Sequence, residues 1–192
     1  MEEPKLLKMI EELGHVAFRN GRYNINIIGV RSKSRVANKY DDILHCIYKD
    51  DLDQWVDIDF QITTDAGTYW LENPSRVAGT AILCAGQYRG VYKIDKHGGK
   101  YEALCQRNGK VKVYRDNNRN EVLDHDPETI EDGYFGINIH RSNSRRESIL
   151  VEKWSAGCQV FCDPTEFQIF MRLCKKSAEL YGNSFTYTLI EE

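Results

Sequence analysis

The chain has 192 residues, with 26 lysines and arginines against 29 aspartates and glutamates, a formal charge of −3. That balance, with a pI near 6.0, argues against a general nucleic-acid binder, which carries a basic excess or stripe. Hydrophobic residues at 41% and charged residues at 29% exclude a disordered or fibrous chain, and no apolar run approaches the ~20 residues of a membrane span. The length points to one domain over residues 1–192, large enough to fold without disulfides, metal or cofactor. The opening MEEPKLLKMIEELG is acidic and helical in pattern rather than a signal peptide, so the expected location is cytoplasmic as synthesised.

Leu6, Leu7, Ile10 and Leu13 recur at helical spacing before Gly14, which predicts a short amphipathic helix over 4–13 within a helical N-terminal extension, 1–20. From Tyr23 the period changes, and 23–28 reads as a strand. Val56, Ile58, Phe60 and Ile62 alternate with polar residues as a second. Further strands are expected at 81–83, 91–94 and 101–104, with a hairpin turn at 97–100 that takes in His97. Segments 111–114 and 121–123 flank a turn at 117–120, and 135–140 and 157–161 are the next strands. Asp163, Pro164 and Glu166 then form a helix-start signal, and Phe167, Phe170, Met171, Cys174, Ala178 and Tyr181 run at helical spacing to Gly182. Segment 185–190 closes the chain as a strand. The fold class is α+β, β-rich, with one long helix in the C-terminal region and a short one at the N-terminus.

Six cysteines stand at 46, 84, 105, 158, 162 and 174, with no CxxC spacing and no secretory signal, so a disulfide framework is not expected. Five of them read as reduced core fillers. Cys158 differs because of its neighbours. Within the window 134–162, Gly136-Ile137-Asn138-Ile139-His140 is followed by fourteen residues and then Ser155-Ala156-Gly157-Cys158-Gln159-Val160-Phe161. On a strand, Ile137 and Ile139 would anchor one face while Asn138 and His140 project from the other. A thiol becomes a nucleophile when an imidazole takes its proton, and glycine allows amides around 156–158 to approach an oxyanion. Pairing of the two strands would bring Cys158 and His140 together.

Other constellations are weaker. Asp57-x-Asp59 and Asp124-His125-Asp126 read as solvated acids, and His45-Cys46 and Cys158-x3-Cys162 lack zinc spacing. The metalloprotease HExxH and the phosphate-binding glycine loop are absent. Trp55 and Trp70 read as core or rim, while Trp154, just before the motif, is placed to wall a cleft.

The arrangement resembles the catalytic motif of the L,D-transpeptidases (YkuD-type fold), in which a histidine precedes Ser/Thr-His-Gly-Cys by a similar interval. Segments 62–67 and 86–92 resemble the family's strands before the site, so the likeness spans roughly 55–162. It implies a mixed sheet or barrel and a divergent, phage-encoded type of member. Cys158 would be the nucleophile and His140 its base, with Ser155 and Gly157 shaping the turn and the oxyanion pocket. Arg141, Trp154 and Tyr88 would contact substrate. The family's second histidine is Ala156 here and its arginine is Val160, so Arg141, Arg145 or Arg146 would have to hold a substrate carboxylate. The activity implied is acyl transfer on peptidoglycan stem peptides, with hydrolysis favoured, no cofactor, and delivery or release needed to reach a wall. A catalytically silent module of a phage or inter-bacterial system is the alternative, and an intracellular cysteine acyltransferase or peptidase on another peptide is the third.

Overall fold

The computed structural model describes residues 2–192. In chain order the elements are α1 (Lys5–Glu12), β1 (Asn26–Arg31), β2 (Asp42–Lys49), β3 (Trp55–Thr63), α2 (Thr68–Glu72), β4 (Thr80–Leu83), β5 (Gly86–His97) and β6 (Tyr101–Gln106). After these come β7 (Val111–Asp116), a 3-10 turn (Pro127–Thr129), β8 (Glu131–Gly133), β9 (Ile139–Arg141), β10 (Gln159–Phe161), α3 (Pro164–Tyr181) and β11 (Phe185–Glu191). Eight strands close a mixed barrel in the order β1-β11-β5-β6-β9-β10-β3-β2, and β4-β7-β8 form a separate small sheet. Closure leaves those eight strands without a free edge. β1 runs parallel to β11, and β9 runs parallel to β10.

Alternation decides what each strand buries. Ile27, Cys46 and Leu189 point into the main core, while their neighbours Ile28, Ile47 and Ile190 meet Leu7 and Ile10 of α1. Both faces of these strands are therefore apolar, the pattern of strands covered on two sides. Phe167, Phe170, Met171 and Cys174 add the apolar face of α3 to the main core. Asp163 caps that helix by accepting from Thr165 N at 2.6 Å, with Pro164 in its first turn. The small sheet joins the same core through Ala81, Leu83, Val111 and Val113, and its other face packs Ile82 on Leu71 and Leu123.

Several expected boundaries shift for local reasons. The first strand begins at Asn26 because Tyr23 stands at φ +55°, outside extended backbone. The strand expected at 121–123 is a single bridge, Val36 to Val122. The strand expected over 135–140 is only Ile139–Arg141, since Gly136 stands at φ +72°. The strand expected from 157 begins at Gln159, after Gly157 at φ +111°.

Candidate active site

The Gln106 carboxamide oxygen shapes the approach to β9. It accepts from the N–H groups of Phe135, Gly136 and Ile137 at 3.1, 2.9 and 3.1 Å, bending three successive amides toward one oxygen. Ile137 and Ile139 then enter the core at 2% and 0% exposure, as their alternation predicts. Parallel pairing sets Gln159 opposite Ile139 and Val160 opposite His140. Cys158, one residue before β10, falls beside Asn138: its Sγ accepts from Asn138 N at 3.4 Å and donates to Gly136 O at 3.4 Å. His140 follows two residues later on the same chain segment. No hydrogen bond joins the two side chains among the described residues.

The turn before Cys158 is tightly built. Ser155 is fully buried, accepts from Gly157 N at 3.1 Å and donates to Cys158 O at 2.8 Å. Ser155 O in turn accepts from Gly67 N at 3.0 Å. The Gly157 amide is therefore engaged and does not face a substrate, contrary to the expectation for the whole 156–158 stretch. The N–H groups of Ala156 and Cys158 make no hydrogen bond within the described residues.

Hydrogen bonds define the protonation of the two rings. His140 Nδ1 lies 2.8 Å from Arg141 O and 3.2 Å from Tyr101 Oη, while the Tyr101 hydroxyl donates to that same carbonyl at 3.0 Å. A carbonyl only accepts, so the His140 proton sits on Nδ1 and the Nε2 lone pair is free to act as a base. His97 stacks on His140 at 4.0 Å between centroids and 22° between planes. Burial, then His97, lowers His140 to about 3. The protein packed around Cys158 pushes its thiol up to about 11, and the Asn138 N–H, which favours the thiolate, offsets only part of this. The resting pair is a neutral thiol and a neutral imidazole, not the ion pair expected of a pre-activated nucleophile.

His140 opens onto a cavity of about 780 Å³ whose walls include His97, Lys100, Tyr101, Arg141, Arg145, Lys153 and Trp154. Its charged walls are all cationic. Arg141 lies on the Tyr101 ring at 4.1 Å, and Trp154 is 42% exposed, so both stand where a substrate contact was expected. Arg145 joins them; Arg146 is exposed but outside these walls. Tyr88 corrects the expectation of a substrate contact: it is a core residue whose hydroxyl donates to Cys84 O at 2.6 Å. Val160, where the resemblance would place an arginine, is fully buried with Tyr40, Val151 and Cys162.

His97 was expected as a turn residue and is instead the last residue of β5, at the cavity wall. Asn138 and Gln106 were not singled out as site residues either. All six cysteines are free, five buried and Cys158 half-buried. No group of three or more His, Cys, Asp or Glu is placed to hold a metal among the described residues. No helix among them is long and apolar enough to cross a membrane. No protein-family model, curated protein or solved structure matches the chain.

Proposed function

We propose that the chain is a divergent L,D-transpeptidase-like cysteine enzyme that performs acyl transfer on carboxylate-bearing peptides of the peptidoglycan stem type, ending in hydrolysis. The observation that carries this reading is the parallel β9–β10 pairing, which seats the Cys158 thiol on Asn138 two residues before His140, whose ring lines a cavity with only cationic residues among its charged walls. On substrate binding the thiol leaves Gly136 O and gives its proton to His140 Nε2 as sulfur attacks the amide carbon. The N–H groups of Ala156 and Cys158 would receive the oxyanion. Collapse breaks the C–N bond, and His140 returns its proton to the departing amine. Water, deprotonated by the same ring, then attacks the thioester and frees the acid and the thiol. An amine in place of water would give transpeptidation by the same steps.

The test is mass spectrometry of stem tri- and tetrapeptides incubated with the protein. A shortened peptide, together with an acyl adduct on Cys158, is expected. No product from the wild type, or an unchanged product with Cys158→Ala, would sink the reading. One observation favours the silent binding module instead: the thiol and imidazole are both neutral at rest, and the thiol donates to Gly136 O rather than to the imidazole. That module would bind stem peptide without turnover, and equally well as Cys158→Ala.

A further inference from the structure

Asn138 ties three parts of the site together. Its amide N–H holds the Cys158 sulfur at 3.4 Å, its carboxamide oxygen accepts from Gln106 N at 2.9 Å, and its carboxamide nitrogen lies 3.0 Å from His97 Nδ1. With the oxygen committed to Gln106, the nitrogen is the donor, so His97 Nδ1 accepts and the His97 proton sits on Nε2. His97 is thus neutral and held in one tautomer, the opposite one to His140. It stacks over the His140 ring, with the planes 22° apart. Tyr101 from β6 and Arg141 from β9 flank His140, Cys158 precedes β10, and Phe167 of α3 packs edge-on against the Tyr101 ring. Burial, and then Arg107, Lys100 and Arg141, lower the proton affinity of His97.

We infer that His97 is a positioning residue of this site: stacked on His140 and tied through Asn138 to the segment that holds Cys158, it keeps His140 the neutral ring that the acyl step requires. With His97 itself neutral, the stacked ring acts by covering His140, and burial in place of water disfavours the charged imidazolium. His97 also excludes water from the ring it covers. When His140 takes the thiol proton, the same surroundings make it a strong acid toward the leaving amine. The role rests on the reading of Cys158 as nucleophile, but its structural half can be read without any substrate.

Nitrogen-15 NMR of the histidine rings in the full chain provides that readout. In the wild type we expect His97 as the Nε2–H tautomer and His140 as the Nδ1–H tautomer, with His140 staying neutral through the pH range where an ordinary histidine, near about 6.5, titrates. In His97→Ala the His140 midpoint should rise by at least about one pH unit, a tenfold gain in proton affinity. His97→Phe, which restores the ring cover, should bring the midpoint most of the way back, and His97→Asn, which offers Asn138 an acceptor but no ring, should not. An unmoved midpoint in His97→Ala, or reversed tautomers in the wild type, overturns the inference. With an acylating peptide, the acid limb of Cys158 acylation should shift upward in step with the midpoint; a rate that merely scales without moving the limb also overturns it. A wild type that does not acylate defeats the proposed function, and the titration then decides the role of His97 by itself.

Discussion

At Gly157 the backbone stands at φ +111°, and a Cβ there would lie 2.1 Å from the Ala81 carbonyl oxygen. The contact is with β4 backbone, so no side-chain rotation relieves it. Gly157→Ala is expected to cost about 2–4 kcal/mol through strain and displacement of the turn, read as a lower urea midpoint with the same slope. A midpoint equal to the wild type would mean that the turn moves freely and does not hold Cys158 in register. The sulfur next to it carries a second expectation. Burial holds the thiol near about 11 in the resting protein, so at about pH 8 its thiolate fraction falls more than tenfold below that of a free cysteine near 8.5. Iodoacetamide should therefore label Cys158 more than about tenfold slower than free cysteine, with the rate climbing until the pH passes the thiol's value. Rapid labelling at mildly acid pH would instead reveal a thiolate–imidazolium pair, the state that the Cys–His spacing alone suggested.

The segment before β9 shows how one side chain settles the shape of an element. Gln106 is 3% exposed, and its Oε1 serves three backbone donors that a strand would have paired elsewhere. Gln106→Leu keeps the volume but removes the acceptor of all three donors and leaves the buried Ile137 N–H unpaired, at about 1–3 kcal/mol. Amide exchange should accelerate at 135–137 well before the rest of the barrel, and protection equal to the wild type would refute the role. This also explains what could be read in advance. α3 was legible because its cap, its proline and its 3.6-residue apolar period all agree over Pro164–Tyr181. β2 went unread because DILHCIYK buries residues on both faces, leaving no alternation of apolar and polar types to detect. β9 and β10 have three residues each and are defined by pairing, which local periodicity does not report. The Cys158–His140 spacing was visible within one window, whereas His97, Gln106 and Asn138 converge from β5, β6 and the approach to β9 only after the barrel closes.

A chain of net charge −3 nevertheless gathers Lys100, Arg141, Arg145 and Lys153 around one cavity with no carboxylate among its walls. These side chains come from the β5–β6 turn, from β9 and the loop after it, and from the turn before Cys158, so closure of the barrel is what assembles the patch. Like charges held together lower stability unless a counter-charge arrives, and a bound peptide carboxylate supplies one. Arg145 is exposed and Lys153 lies 4.1 Å above the Tyr69 ring, so neither charge is neutralised by an acid at rest. Attraction between exposed charges decays over about 8 Å at physiological salt. The KM for a carboxylate-bearing peptide should therefore rise several-fold as ionic strength increases, with kcat nearly constant, because the cations act on binding rather than on the reacting bond. Arg145→Gln and Lys153→Gln should each raise KM by about two- to fivefold at low salt, in the range of a single exposed ion pair, and flatten the salt dependence. Arg141→Gln should do more, since it also withdraws the guanidinium stacked on Tyr101, the residue whose hydroxyl meets His140. Blocking the peptide's carboxylate as an amide should reproduce the effect of the double Arg145→Gln, Lys153→Gln variant and leave that variant unaffected. If amide and acid peptides are processed alike by the wild type, the cationic walls serve some other ligand and the assignment of the cavity to the substrate falls.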